Sequence, residues 1–408
     1  MNINNLLSIA LRLVTIFSKF IFAGWMITND KLGLYGEISI ILAVVYFLTY
    51  LFGLEFYYFI DRLVNENGLF NSHLVKLLPY ISICLLILFL DLFINLDFIL
   101  NYSGLNIGIN SFILLVFLEG NAQELTRLLI AKGEIVTANI LICFRVAIWP
   151  IIVMFFSVLD IIGIIDIWTY TLLSLFFISI FCLLGVGGFS FSKIFCNLRN
   201  IFKDRKILFK MYYSNIAHRS IYSFDKLILL YFTNSSVVGI YSFNMNIIMA
   251  LNSVWDASIL SKNLSMFLKG CNVKYRAVLK KNFTFFLSVM LFVIAGYLII
   301  SKTYYSLIGY MPEYISEKIS SLIEVVDLKM ILVCFSVSFF IYVYQDLRNY
   351  LYALKFDHVL FWVNIYMPLI FFPIFVFTSW LFGWAGIFAY SLSYLVVSFL
   401  LYRRIEQC

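Results

Sequence analysis

Long apolar runs alternate with short polar breaks from one end of this 408-residue chain to the other. Each run holds about 20 residues, the length at which an α-helix crosses the hydrocarbon layer of a bilayer. The pattern predicts twelve spans, over 6–28, 35–60, 74–97, 109–131, 137–159, 164–190, 211–232, 240–261, 282–301, 328–352, 359–380 and 384–402. The alternating segments of about ten residues that mark a membrane β-barrel are absent. The expected fold class is an all-α membrane protein. The opening stretch "MNINNLLSIALRLV" has no basic region and no small-residue cleavage site, so the first span is expected to be retained.

Composition agrees with this reading. Hydrophobic residues make up 63% and charged residues 12% of the chain, and the mean hydropathy is +0.97. A soluble domain carries about 25% charged residues, more than this chain has to coat a surface. The net charge of +7 is therefore a question of placement, and no nucleic-acid partner is expected. Alternate connections hold Arg62, Lys132, Lys193, Arg199, Lys203, Arg205, Lys206, Lys210, Lys262, Lys269, Lys274, Arg276, Lys280, Lys281, Lys355, Arg403 and Arg404. The other connections hold only Lys31, Lys302 and Lys318, a split of 17 to 3. Basic residues collect on the cytoplasmic side of membrane proteins, which puts both termini in the cytoplasm. Cys84, Cys143, Cys182 and Cys334 fall in spans, and Cys196, Cys271 and Cys408 on the cytoplasmic side, so no disulfide framework is expected. His73, His218 and His358 are scattered without the spacing of a zinc site, and no metal is expected.

The chain repeats itself. Arg12, Phe17 and Lys19 recur as Arg219, Phe224 and Lys226, all at an offset of 207. Gly33-Leu34-Tyr35 recurs as Gly239-Ile240-Tyr241 at 206, and Gln123-Glu124-Leu125 as Gln345-Asp346-Leu347 at 222, with Ala131 against Ala353. The shared order predicts a duplication into an N-terminal six-helix lobe (1–190), a basic amphipathic linker at the cytoplasmic surface (191–210) and a C-terminal six-helix lobe (211–408). Six spans per half keep both lobes in one orientation, which relates them by a pseudo-two-fold axis along the membrane normal.

Charges inside the spans are the candidate chemistry. Arg12 and Lys19 are nearly two turns apart and share a helix face, as do Arg219 and Lys226. Lys19 and Lys226 lie deep in their spans, where an unpaired charge costs at least about 2.5–3.5 kcal/mol. Span four adds Glu119, Gln123, Glu124 and Arg127, span five Arg145, and span ten Gln345, Asp346 and Arg348. Simpler readings stand beside the functional one. Arg12 is near enough to a membrane face to snorkel, Glu124 and Arg127 have the spacing of an internal ion pair, and Lys76, Lys329 and Glu37 read as interfacial residues at span ends. Asp225 reads either as a counter-charge to a neighbouring helix's cation or as an ion-coupling residue, with Glu119, Glu124 and Asp346 in the same class. Asp91 and Asp256 fit either a cavity or a span end. On the proposed topology Arg12, Lys19, Arg127, Arg145, Arg219, Lys226 and Arg348 all lie at mid-depth or toward the cytoplasm. Positive-inside bias produces such a trend near span ends; a cationic vestibule for an anionic substrate produces it at depth. Tyr212, Tyr213, Tyr222, Tyr342 and Tyr344 lie near these charges and are candidates to contact sugar rings.

No Walker A loop is present, no paired-carboxylate or nucleophile motif stands out, and no cofactor is expected. The longest outer connection, 302–327, is short and carries Glu313, Glu317, Glu324 and Asp327 rather than arginines. "FDKLILLYFTNSSVVGIYSFN", with Asp225-Lys226 and Val238-Gly239-Ile240-Tyr241-Ser242, resembles the Wzx-type O-antigen and polysaccharide flippases. So does "LGLYGEISIILAVVYFLTYLFGLEFYYFIDR", through Gly33, Tyr35, Gly36, Gly53 and Arg62. These flippases belong to the multidrug/oligosaccharidyl-lipid/polysaccharide (MOP) exporter superfamily, and the resemblance extends over essentially the whole chain. It implies a MATE-like fold in the bacterial inner membrane. The implied activity is alternating-access translocation of an undecaprenyl-pyrophosphate-linked oligosaccharide from the cytoplasmic to the outer leaflet, with or without ion coupling. It also implies a polysaccharide polymerase and a chain-length regulator as partners. Two other functions remain open: a drug/cation antiporter of the same superfamily, which favours an acidic cavity, and a membrane polysaccharide polymerase or ligase, which favours a large outer loop.

Overall fold

The computed structural model describes residues 3–54, 69–94, 108–186, 205–255, 328–353 and 356–406, with parts of 190–199 and 284–302. The expected connections around Arg62 and over 262–281, the outer connection beyond Lys302, and Asp256, Cys271 and Cys408 lie outside the described residues. So does most of the ninth span.

Each of the other expected spans falls on a helix. These are α1 (Ile3–Thr28), α2 (Leu32–Phe52), α3 (Leu69–Ile94), α4 (Ile109–Lys132), α5 (Ile135–Cys143), α6 (Trp149–Phe155), α7 (Ile161–Val186), α8 (Arg205–Phe232), α9 (Ser235–Trp255), α10 (Leu328–Ala353), α11 (Asp357–Phe382) and α12 (Phe388–Glu406). A π turn, Phe144–Ile148, joins α5 to α6 into one span, and a 3-10 turn, Gly383–Ile387, precedes α12. Among the described residues there is no strand. Among the described residues seven helices are long and apolar enough to cross a bilayer, so this is a multi-pass, all-α membrane protein.

Local chemistry sets the breaks. Gly133 takes φ +90° and donates its N–H to the Ile130 carbonyl at 3.0 Å, closing α4 before α5 begins two residues later. Asn234 caps α9, its Oδ1 accepting the Val237 N–H at 3.0 Å, and Asp160 caps α7 through the Gly163 N–H at 2.7 Å. Pro150 has no N–H to offer residue 146, and its ring crowds that carbonyl in regular α geometry. The π turn lies there. The last six residues of the expected linker, Arg205 to Lys210, are the first turns of α8 and continuous with the span that follows.

Two compact units emerge, one of Met1–Phe22 and Ile40–Arg219, the other of Ala23–Ser39 and Ser220–Cys408. Helices α1, α2 and α8 each run through both. In the first unit α4 is the central helix, buried without interruption from Leu118 to Thr126 and packed on α3, α5 and α7. An apolar cluster of Leu69, Val75, Leu125, Leu128, Leu129, Ala138 and Leu183 surrounds its lower half. Tyr80 of α3 fills the space left by two glycines: a Cβ on Gly120 would lie 2.4 Å from its ring and one on Gly53 2.7 Å from its hydroxyl.

In the second unit α10 packs on α9 and α12, and α11 on α12. The start of α2 also belongs here and meets the start of α9 backbone to backbone. A Cβ on Gly36 would lie 1.9 Å from the Ser235 carbonyl oxygen, and one on Gly239 2.4 Å from that of Leu32. Leu32 and Ser235 open their helices, and each glycine is the fifth residue of its own. The contact is thus reciprocal, and it equates Gly36 with Gly239, three residues from the Gly-x-Tyr alignment. Small residues at membrane helix interfaces permit such approach.

Candidate functional site

The expected charges gather into three groups, two in the first unit and one in the second. The first group surrounds Glu119. Burial of α4 on all sides leaves this carboxylate fully buried, and the Arg145 Nε lies 3.1 Å from its Oε1. Arg145 projects from the π turn. Lys19 of α1 lies within electrostatic reach of both Glu119 and Arg145 and is itself exposed. One turn-pair below, the exposed Arg12 donates from Nε to the Asn139 Oδ1 of α5 at 3.3 Å.

The second group surrounds Glu124, five residues along α4. Its Oε1 accepts from Arg127 Nη1 at 2.7 Å, so the expected internal ion pair exists. Its Oε2 lies 3.1 Å from the Lys76 Nζ of α3, and the Tyr80 hydroxyl approaches at 3.4 Å while donating to the Thr49 carbonyl at 2.7 Å. Lys76 is a correction: its side chain is 1% exposed and ion-paired, where an interfacial residue was expected. Its neighbours Asn71, Ser72 and His73 are buried as well, and His73 Nε2 lies 2.9 Å from the Asn121 Oδ1. Arg127 sits over the ring of Tyr50 at 5.1 Å, and Arg219 of α8 sits over the same ring at 4.5 Å. The Tyr212 hydroxyl, donating to the Leu51 carbonyl at 2.9 Å, holds the same part of α8 on α2.

The third group surrounds Asp225. This carboxylate is fully buried; its Oδ2 accepts from Tyr241 at 2.5 Å and Tyr390 at 2.8 Å, and its Oδ1 from the Lys226 backbone N–H at 2.7 Å. The Lys226 ammonium stands 3.7 Å away. Among the described residues the cation Asp225 meets is on its own helix, where the counter-charge reading expected a neighbouring one. Tyr222 and Tyr394 share a hydroxyl–hydroxyl contact; beside it Tyr390 stacks on Tyr394, and Tyr344 meets Tyr394 edge-on. Tyr344 and Tyr342 are fully buried, which removes them from any sugar-binding surface. Asp346 is buried too, and Arg348, half-buried on the same helix, lies within electrostatic reach of Tyr344 and Tyr394.

One asymmetry runs through all three groups. Glu119, Glu124, Asp225 and Asp346 are all buried, whereas among the cations only Lys76 is; Arg12, Lys19 and Arg219 are exposed and Arg127, Arg145, Lys226 and Arg348 are partly so. The charge presented at the surfaces of these helices is positive, and the negative charge lies behind it. A second asymmetry separates the two repeat lysines. Lys226 follows Asp225, but Lys19 follows Ser18, whose hydroxyl is turned to the Thr15 carbonyl at 3.0 Å. Lys19 has no carboxylate of its own helix beside it. Sequence reasoning missed Tyr50, Tyr80 and Asn139, and the tyrosines that hold Asp225. The weak available signal was that Gly53 and Gly120 must face something large.

No protein-family model matches the chain, and no curated protein sequence does. Solved structures do. The lipid II flippase MurJ, in an inward closed conformation, aligns with a TM-score of 0.58 and 15% identity over 99% of this chain and 87% of that one. An inward-facing MATE-family multidrug resistance transporter of the MOP superfamily aligns with a TM-score of 0.58 and 11% identity over 98% of both. The chain shares the fold of these two proteins. At such identities the likeness is one of fold.

Proposed function

We propose that the chain is a flippase that carries an undecaprenyl-pyrophosphate-linked oligosaccharide from the cytoplasmic to the outer leaflet of the bacterial inner membrane by alternating access. The observation that carries this reading is the polarity of the charged groups: the four carboxylates are buried, and every cation of the groups except Lys76 is at least partly exposed. An accessible cation in a membrane-spanning helix is stabilised by water or by an anion, and a pyrophosphate headgroup is such an anion. Lys19, Arg145 and Arg12 would receive it, while the lipid tail stays in the bilayer. A drug/cation antiporter needs the opposite arrangement, with carboxylates facing the cavity. The resemblance of the Asp225–Ser242 stretch to polysaccharide flippases supports the same cargo class.

Asp225 fits a structural counter-charge better than a cation-coupling site, because the groups around its oxygens are hydrogen-bond donors. Both termini would be cytoplasmic, as the basic connections indicate. The test is deletion of the gene in the native strain with analysis of lipid-linked sugars. An undecaprenyl-linked oligosaccharide that accumulates on the cytoplasmic leaflet, with loss of the matching surface glycan, supports the reading. Unchanged surface glycan together with increased drug sensitivity refutes it.

A further inference from the structure

Glu119 differs from the carboxylates that centre the other two groups. Asp225 accepts three hydrogen bonds, from Tyr241, Tyr390 and the Lys226 backbone. Glu124 accepts from Arg127 and Tyr80. Glu119 is fully buried near the middle of α4, and neither of its oxygens accepts a hydrogen bond among the described residues. The Arg145 Nε comes within 3.1 Å of its Oε1, but the N–H is not aimed at that oxygen. Among the described residues, the charge of Glu119 is therefore balanced by the field of Arg145, with Lys19 of α1 in electrostatic reach. A buried pair of this kind adds little to stability, and apolar residues of similar volume often do as well.

Arg145 faces two ways. Its Nε is buried beside Glu119, while the side chain as a whole is 17% exposed. It projects from the π turn, a backbone irregularity that recurs at functional sites. An anion that docks on the open side of this guanidinium meets a fixed negative charge on the other side. Like charges at that separation repel enough, away from bulk water, to change an affinity about ten-fold.

We infer that Glu119 is the release residue of the Lys19–Arg145 headgroup site: its charge weakens the hold on the anionic cargo and takes Arg145 back when the cargo leaves. The inference rests on the flippase reading for the identity of the cargo. Cations alone would bind a pyrophosphate tightly in this setting, and a carrier that binds tightly at every step turns over slowly. Glu119 is too deeply buried to touch the cargo, so it acts by repulsion through space and by competition for Arg145.

The test is binding of inorganic pyrophosphate to the full-length protein in nanodiscs of neutral lipid, with phosphatidylglycerol as competitor. Wild type, Glu119→Gln, Glu119→Asp and the double variant Glu119→Gln with Arg145→Gln are compared. Release by repulsion predicts that Glu119→Gln binds about ten-fold tighter and that Glu119→Asp, which keeps the charge, binds as wild type. The double variant strands no charge, so it stays readable if Glu119→Gln alone fails to fold. It should bind within about three-fold of wild type, because one attraction and one repulsion are lost together. In flipping assays Glu119→Gln should lower both the half-saturating cargo concentration and the maximal rate, a pairing that structural damage does not produce. Equal or weaker pyrophosphate binding in Glu119→Gln overturns the inference and makes Glu119 a brace for Arg145. A double variant weaker than wild type by about ten-fold or more does the same. Equal displacement by phosphatidylglycerol overturns it for the cargo, since bulk lipid headgroups would then fill the site. Tighter binding in Glu119→Gln, in a protein whose deletion leaves lipid-linked oligosaccharides unchanged, would sink the flippase reading and leave the role of Glu119 at an anion site standing.

Discussion

Replacing Glu124 by Gln removes the charge that neutralises Lys76, and the consequence follows from burial. The Lys76 side chain is 1% exposed and its Nζ lies 3.1 Å from the Glu124 Oε2. The amide keeps the shape and an acceptor for Arg127 and Tyr80, but it removes the carboxylate charge 3.1 Å from a buried ammonium. Breaking a buried pair from one side costs about 3–5 kcal/mol. The unfolding equilibrium would therefore shift between roughly a hundred-fold and several thousand-fold. Lys76→Met alone leaves the carboxylate with Arg127, at 2.7 Å, and should cost less. The double variant, Lys76→Met with Glu124→Gln, removes both charges and should recover most of the loss. Reversible unfolding in mixed micelles, followed through the fluorescence of the buried Trp149 and Trp168, gives all four corners of the cycle. The account predicts a coupling energy of about 2 kcal/mol or more. A Glu124→Gln protein within about 0.5 kcal/mol of wild type, or strictly additive single effects, would refute the pairing.

Other outcomes follow from the same geometry. Gly36→Ala and Gly239→Ala each place a Cβ against backbone, at 1.9 and 2.4 Å, and should destabilise by at least about 1–3 kcal/mol in the same unfolding assay. Gly24→Ala meets nothing within 4 Å and should be neutral or stabilising by up to about 1 kcal/mol. Asp225→Asn weakens the hydrogen bonds from Tyr241 and Tyr390 and strands Lys226, and should cost about 1–3 kcal/mol while leaving any sodium dependence of transport unchanged. At matched protein levels, Lys19→Ala should lower surface glycan more than Lys226→Ala, because only Lys226 has a carboxylate of its own helix beside it.

The spans were legible because apolar run length is a local property, and observed helix ends differ from expected ones by several residues where polar side chains continue the helix. Residues 205–210 are the plainest case: a lysine- and arginine-rich run reads as surface linker, yet it belongs to a helix already under way. The Arg12–Lys19 and Arg219–Lys226 repeat was legible too, as was the Glu124–Arg127 pair at helical spacing. Long-range partners were not. Lys76 follows Asn71, Ser72 and His73, a sequence that imitates a span end, and the carboxylate that buries it is 48 positions away. Tyr50, Tyr80 and Tyr390 carry no local mark in a chain with 27 tyrosines, and the repeat that marks Tyr241 does not point to Asp225. Which charge of a group faces outward is set by how α4 and α8 are packed, and nothing in the order of residues records it.

The central claim is that the exposed cations receive the anionic headgroup of a lipid-linked oligosaccharide. Its most direct measurement is the movement of a labelled undecaprenyl-pyrophosphate-linked oligosaccharide across proteoliposomes that hold the purified protein, wild type beside Lys19→Ala. The account predicts transfer by the wild type and loss of most of it in a folded Lys19→Ala protein. No transfer by the wild type, or equal transfer by both, would contradict it.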